Sequence, residues 1–272
     1  MTRRLTVLIP AKNERHNLPD CIDSVQDLAD EVLLADSGSA DGTIEYARSR
    51  GCRVIQREYV HAGDFKNWAI PQCSHEWVLL LDADERLTPR LAVEIRQVLD
   101  AADDRYDGYW IFRHCYFLGR LLRFGGCHRD RVLRLFRRDV SRYVGDTDHA
   151  EIRLPADRTG ALRSRMEHHT CPTLDDYFRK FLRYTSQNAQ VRYAKGRRTS
   201  LLRLWLTVPV KFTRLYLLRW GILDGVAGLL FCWLSAFSSF VTQARMWELD
   251  VRQDESSLPD KPAMAGQSHR AA

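Results

Sequence analysis

Along the first hundred positions, short apolar runs alternate with stretches in which apolar residues recur every three or four positions, a pattern that predicts strands alternating with helices. Residues 5–9 form an apolar run closed by Pro10. Behind it, Asn17 and Pro19 supply an N-cap and an early-turn proline for a helix carrying Leu18, Ile22, Val25 and Leu28. Residues 31–35 read as a second strand, Val54-Ile55 as a third, and the run from Trp77 to Leu81 as a fourth that is covered on both faces. A helix capped by Asp41 and closed by Gly51 lies between the second and third strands, and a shorter one over 64–72 precedes the fourth. This order predicts an α/β fold with a mostly parallel sheet flanked by helices.

Further on the pattern loosens. Thr88-Pro89 opens a helix to about Leu99; 107–112 and 165–167 are strand-like, and 132–136 alternates apolar with basic residues. From Thr173 the chain reads as helical, with Leu174, Tyr177, Phe178, Phe181, Leu182 and Tyr184 at spacings of three and four. Residues 201–220 are apolar, with Trp205 and Trp220 near the ends and Arg203, Lys211 and Arg214 within roughly a quarter-turn of one another. Residues 225–241 carry no charge, but such a run sits at the short limit for a bilayer core of about 30 Å. It suits either a helix buried against the α/β part or, given its basic and tryptophan-bearing flanks, an element of a membrane-surface anchor. Three parts follow: an α/β domain over 1–170, a helical extension with amphipathic and apolar helices over 171–250, and a disordered tail over 251–272, where Pro259 and Pro262 join small polar residues.

Composition adds a compartment and a surface. The 45% hydrophobic and 28% charged residues are ordinary for a globular chain able to bury a sizeable core. Seven scattered cysteines without a Cys-x-x-Cys pair fit a reducing, cytosolic-facing location better than a disulfide framework. The apolar run after Arg4 ends at Lys12, too short for a signal peptide. The net charge is +6, and Lys195, Arg197, Arg198, Arg203, Lys211, Arg214 and Arg219 follow one another with no acidic residue between them, which points to an anionic membrane surface.

Candidate chemistry gathers at the end of the fourth strand. Asp82 and Asp84, one residue apart, project the same way from the carboxyl end of a buried strand, where α/β sheets hold their ligands, and hard oxygen ligands there suit Mg²⁺ or Mn²⁺. By itself Asp-x-Asp also fits a solvated turn. The turn after the first strand, Pro10-Ala11-Lys12-Asn13-Glu14, lacks the glycines of a dinucleotide fingerprint, and no Walker loop occurs. The small residues between Asp36 and Thr43 let a ligand approach backbone. Arg120, Arg123, Arg129, Arg131, Arg134, Arg137 and Arg138 favour phosphate contact, whereas no zinc-finger, RNP or recognition-helix pattern supports nucleic acid. The His and Cys residues lack structural zinc spacing and read as core cysteines and polar histidines; His168 and His169 also suit the floor of an active site.

With Pro10-Ala11-Lys12-Asn13-Glu14, Asp36-Ser37-Gly38-Ser39-Ala40-Asp41-Gly42-Thr43, Phe65-Lys66-Asn67 and Leu81-Asp82-Ala83-Asp84-Glu85 in this order, the chain resembles family 2 glycosyltransferases of the GT-A fold. Gly125-Gly126, Arg134-Leu135-Phe136-Arg137-Arg138 and Leu223-Asp224-Gly225 are similar to the branch containing lipopolysaccharide core β-glucosyltransferases. The resemblance implies that Pro10, Lys12, Asn13 and Glu14 line a nucleotide pocket, that Asp36 and Lys66 help bind the donor, that Asp82 lies near the ribose and that Asp84 holds the metal. It departs from the family at Ser37, where many members carry a second Asp, and at His149-Ala150-Glu151, where the branch shows adjacent His-Glu. The implied activity is inverting, metal-dependent transfer of a sugar from a nucleotide donor to a glycolipid or other envelope acceptor at the cytoplasmic face of the inner membrane. A nucleotidyltransferase with a similar acidic site and a non-catalytic membrane-bound scaffold are the alternatives. Asp130, Asp146, Asp148 and Glu151 are candidate bases; Glu151 is preferred, with His149 two residues away to orient it.

Overall fold

The computed structural model describes residues 3–101, 103–145 and 150–257. The first half builds the expected alternation: β1 (Leu5–Ala11), α1 (Leu18–Asp23), β2 (Glu31–Asp36), α2 (Thr43–Ser49), β3 (Arg53–Gln56), α3 (Ala62–Ala69) and β4 (Trp77–Leu80). β5 (Glu85–Arg86), α4 (Pro89–Ala101), β6 (Gly108–Phe117), β7 (Arg120–Leu122), β8 (Arg131–Arg137) and β11 (Thr159–Cys171) complete the main sheet and its cover, while β9 (Tyr143–Val144) and β10 (Glu151–Ile152) form a separate ribbon. The sheet runs β3-β2-β1-β4-β8-β6-β11-β5, with β7 on β6. It is parallel from β3 through β4 and again between β6 and β11; β8 enters antiparallel between β4 and β6.

Both faces of the central strands are buried, which is why their sequences are continuous apolar runs. Leu5, Val7 and Ile9 pack with α1 and α4 through Leu18, Ile22, Leu91 and Ile95. Leu8 and Leu33 face the other way, with Val78 and Leu80 joining Phe65 of α3 and Tyr143 and Ile152 of the ribbon. α3 begins two residues before its expected start because His61 supplies the cap, its Nδ1 accepting from Asp64 N at 3.2 Å. It ends at Ala69 and continues as a 3₁₀ turn over Ile70–Gln72, since Pro71 lacks the N–H a further helical turn needs.

The helical extension comprises α5 (Leu174–Ala194), α6 (Leu201–Thr213) and α7 (Gly225–Ser257). Thr173 and Ser200 cap the first two. α7 lies against both: Phe181 stacks on Phe237 at 5.7 Å, and Phe212 meets Trp233 edge-on at 5.6 Å. Two sequence expectations change here. α7 carries seven residues into the expected tail, where Arg252, Gln253 and Glu255 are good helix formers; residues 258–272 lie outside the described part. Lys211 is not on the outer basic stripe: its Nζ turns inward to Ser239 Oγ at 2.6 Å, leaving Arg203 and Arg214 exposed.

Candidate active site

The loops after β1 and β2 are locked together. Asn13 has a left-handed backbone (φ 56°); its N–H donates to Ser39 Oγ at 2.8 Å, and its Oδ1 accepts from Ala40 N at 2.9 Å. Glu14 N donates to Thr43 Oγ1 at 3.0 Å. Asp36 is fully buried and spends its carboxylate on its own loop, accepting from Gly38 N at 2.9 Å, Ser39 N at 3.0 Å and the Ser39 hydroxyl. The small residues here therefore make a rigid backbone shelf. Pro10 is half-buried at the end of β1, and Lys12 is exposed on the rim of the shelf.

Asp82 and Asp84 follow β4 as predicted. Asp82 sits between Lys66 Nζ, at 3.3 Å, and Arg134. Arg134 in turn donates to Glu85 Oε1 at 2.9 Å, and Arg113 reaches the same oxygen at 3.0 Å. Glu85 is fully buried, and its second oxygen accepts from Asp82 N at 2.9 Å. A buried carboxylate is tolerable only with such partners. Burial works against the charge on Asp82, yet Arg134 and Lys66 hold its carboxyl far below the usual range. Burial likewise disfavours charge on Lys66, but Asp82 more than compensates and its pKa rises.

Asp84 has its own partners. The two-residue strand β5 pairs antiparallel with β11, placing His168 opposite Glu85, and His169 N donates to the Asp84 carbonyl at 2.8 Å. His168 Nε2 then lies 3.6 Å from Asp84 Oδ1, while Lys180 of α5 reaches Oδ2 at 2.9 Å and the Thr170 carbonyl at 2.7 Å. Although burial opposes ionisation of Asp84, the His168 hydrogen bond and the two cations keep it well below an ordinary carboxyl. Burial also opposes charge on His168, but Asp84 raises its pKa to about 9. Glu14 faces the same space: burial raises its pKa, against the 2.8 Å bond from Asn17 Nδ2, and Asp84 is among its charged neighbours.

The candidate bases separate. Asp130 joins the charged network, but Arg113 takes both its oxygens at 2.9 Å, so its pKa is depressed in spite of burial. Glu151 lies on β10, whose next residue, Ile152, is buried; Glu151 points to the opposite, exposed face. The ribbon itself abuts the site: Asn67 and Tyr143 exchange hydrogen bonds of 2.9 and 2.8 Å, and Lys66 Nζ lies 5.2 Å from the Tyr143 ring. His149, Asp146 and Asp148 lie outside the described residues.

Two groups here can be asked whether they suit a divalent ion. Cys115, Asp130 and His168 offer ligand atoms within 4.8 Å of one another. Yet both Asp130 oxygens are already taken by Arg113, and the Cys115 thiol donates to one of them at 3.2 Å. Asp84 and His168 fit better. Ligands bonded at about 2.1 Å and at right angles stand about 3 Å apart, close to the separation seen, and the hard carboxylate suits Mg²⁺ or Mn²⁺.

Sequence reasoning found the acids at the strand end and suggested His168, but it missed Glu85, Arg113 and Lys180. Lys180 did leave a signal: it falls three residues after Tyr177 and one before Phe181, a cation inside an apolar helical stripe.

Comparison with known proteins bears on this arrangement. Residues 6–150 match the family model for Glycosyl transferase family 2. Over 94% of its length the chain is 29% identical to the lipopolysaccharide core biosynthesis glycosyltransferase LpsC of Rhizobium meliloti, covering 96% of that protein. It is 42% identical to the glucosyl-3-phosphoglycerate synthase of Mycobacterium tuberculosis over 60 residues, 21% of this chain and 18% of that one. A crystal structure of a glucosyl-3-phosphoglycerate synthase from M. tuberculosis with Mn²⁺, UDP and glucosyl-3-phosphoglycerate aligns at a TM-score of 0.50 and 20% identity, over 73% of this chain and 82% of that one, a likeness in fold.

Proposed function

The chain belongs to glycosyl transferase family 2, and from that premise we propose that it is an inverting, divalent-metal-dependent enzyme that moves a sugar from a nucleotide-sugar donor to a lipopolysaccharide-core or related envelope glycolipid at the cytoplasmic face of a membrane. The single observation that carries the reading is the pair Asp84 and His168 at the carboxyl end of β4, beside a shelf formed by the β1 and β2 loops. Two similarities support it: the LpsC relative is named for lipopolysaccharide core biosynthesis, and the M. tuberculosis synthase was crystallised with Mn²⁺ and UDP.

In this reading the nucleoside lies on the shelf, against Pro10, Lys12, Asn13 and Glu14, with Asp36 acting through the loop it fixes. Asp82, steadied by Arg134, takes the ribose end, and Lys66 faces the donor phosphates. Asp84 and His168, the latter as neutral imidazole, would hold Mg²⁺ or Mn²⁺, which would offset negative charge on the diphosphate leaving group. The acceptor hydroxyl attacks the anomeric carbon from the side opposite the diphosphate. The new C–O bond forms as the old one breaks, the bonding pair leaves with the diphosphate, and the hydroxyl proton passes to a carboxylate.

Glu151 remains the assigned base, since Asp130 has both oxygens committed to Arg113; His149 would orient it. The first experiment is a panel of nucleotide sugars screened for metal-dependent stabilisation of the protein, where ligand at 100 times its Kd adds about 2.7 kcal/mol. No stabilisation by any sugar nucleotide, with or without metal, would sink the reading. The base is then tested by Glu151→Gln beside Asp130→Asn at saturating donor. Glu151→Gln should bind donor and lose about 10²- to 10⁴-fold in turnover; if it turns over normally while Asp130→Asn binds donor and is dead, the base is Asp130.

A further inference from the structure

The turn that joins α6 to α7 does two things at once. On its outer side it exposes Leu217, Leu218, Trp220, Ile222, Leu223 and Val226, with Leu218 and Val226 each 73% accessible. Contiguous apolar exposure of this kind marks a surface that meets another phase or partner. Trp220 is held in the left-handed region at φ 60°, an uncommon place for a bulky residue, so the turn is fixed rather than slack. On its inner side the turn grips a loop of the α/β domain. Asp224 accepts from two consecutive backbone amides, Arg123 N at 3.0 Å and Phe124 N at 2.8 Å, and the Arg219 carbonyl accepts from Gly125 N at 2.9 Å. Gly125 and Gly126 are both left-handed; a Cβ at 126 would stand 2.8 Å from the Arg219 guanidinium.

The gripped loop runs directly into the site. Asp130 N donates to the Cys127 carbonyl at 3.1 Å, Arg113 N donates to the Asp130 carbonyl at 2.9 Å, and the Asp130 carboxylate holds Arg113, which holds Glu85. Asp224 and the Arg219 carbonyl together therefore fix three residues of a loop whose other end anchors the buried charges beneath Asp82.

The occupant of the apolar side is set by charge. From Lys195 to Leu223 the chain carries seven cations and no acid, and five of the seven remain after Lys211 turns inward and Arg198 pairs with Asp250 at 2.9 Å. The span Gly221–Gln253, the end of this turn and most of α7, is long and apolar enough to cross a membrane, and only 22% of its most apolar window is buried. Apolar residues ringed by cations suit the headgroup zone of an anionic bilayer. We propose that residues 214–226 seat in that zone and that Asp224 is a positioning residue, transmitting the seating to the loop over 123–130, so that the site is held in its working shape when the protein is on a membrane. The proposal deepens the membrane-side reading given above and rests on it for its biological sense.

The test reads the loop directly and needs no sugar transfer, so it succeeds or fails separately from the donor screen. Hydrogen exchange of the full-length protein is followed at 123–130 with and without vesicles containing phosphatidylglycerol, alongside co-sedimentation. For the unaltered protein, vesicles should slow exchange at Arg123, Phe124 and Gly125 by about tenfold. Asp224→Asn should still sediment with vesicles but exchange fast at those amides in either condition. Leu218→Ser with Trp220→Ser, at positions 73% and 62% accessible, should lose sedimentation and the vesicle effect while keeping the slow solution exchange of the latch. If vesicles bind the unaltered protein and leave exchange at 123–125 unchanged, or if Asp224→Asn responds to vesicles as the unaltered protein does, the coupling is overturned. If the unaltered protein ignores the vesicles at low salt, the membrane seat itself is overturned.

Discussion

The end of β4 and the turn before α7 treat charge and apolar surface in opposite ways. Around Asp82, Glu85 and Asp130 every carboxylate is matched by Arg113, Arg134 or Lys66, most of them deeply buried, and the apolar strands below are sealed. Across α6 and on to Leu223, cations follow one another without an acid between them and large apolar side chains face outward. The first arrangement fixes geometry at the cost of desolvating ions, and the second stores attraction for a surface that only another phase supplies. On the function proposed above, the first would hold a water-soluble donor and the second would meet an acceptor embedded in lipid.

Breaking the matched charges should give the largest effect. Arg134→Met removes the shared partner of Asp82 and Glu85 and leaves a fully buried carboxylate short of a cation; denaturant unfolding should show a loss of about 3–5 kcal/mol. A loss under 1 kcal/mol would mean that water reaches Glu85. Asp84→Asn comes next. It should lower metal-dependent turnover by more than about 100-fold, beyond what disturbing a ligand's supporting residue costs, and near-normal turnover at ordinary metal concentration would remove Asp84 from the metal site. The charge is already matched by His168 and Lys180, so its removal should also cost some thermal stability.

On the other side of the comparison, Arg203→Ala with Arg214→Ala should weaken binding to anionic vesicles by up to about 2 kcal/mol, about 1 kcal/mol for each exposed cation. Added salt should shrink the difference; binding that is insensitive to both substitutions would make the apolar residues the whole anchor. The smallest effect lies on the outer rim of the sheet. Glu31 loses some favour through burial but accepts from Thr6, Ser74 and Arg53, which lowers its pKa from 4.5 to about 2. A depressed carboxyl stabilises the fold above its unfolded pKa and loses that contribution as pH falls from about 4.5 to about 2. The stability gap between the parent and Glu31→Gln should therefore be present at pH 7 and close across that interval in acid titrations followed by circular dichroism.

What the sequence revealed follows the range of the interactions involved. β1 to β4 were legible because a strand covered on both faces must be apolar throughout, and Asp82 and Asp84 stood out because such a run stopped at two acids. The partners of those acids were harder to find. Arg113 and Lys180 reach the site from β6 and α5, and no local spacing ties them to residues so far back in the chain. The pairing of β5 with β11 was equally hidden, since Glu85-Arg86 is too short to show a strand period. The stripe of Arg203, Lys211 and Arg214 was read from helical spacing alone, and spacing does not say that α7 would cover one of the three.

The two-residue pairing of β5 with β11 has a consequence for synthesis. Asp84 waits for His168, and then for Lys180, 96 residues later in the chain, before its charge is matched. Contacts of that separation form late, because a long loop must close before they repay its entropy. A nascent chain that has released only the first hundred residues from the ribosome can form the parallel half of the sheet and bring Lys66 to Asp82, yet Asp84 still lacks His168 and Lys180. The Asp84 carboxylate thus settles later than the strand that carries it. A pulse-labelled chain stalled at about residue 160 should be folded around β1 and β4 but unable to hold a divalent ion, and a chain extended past Lys180 should gain that ability.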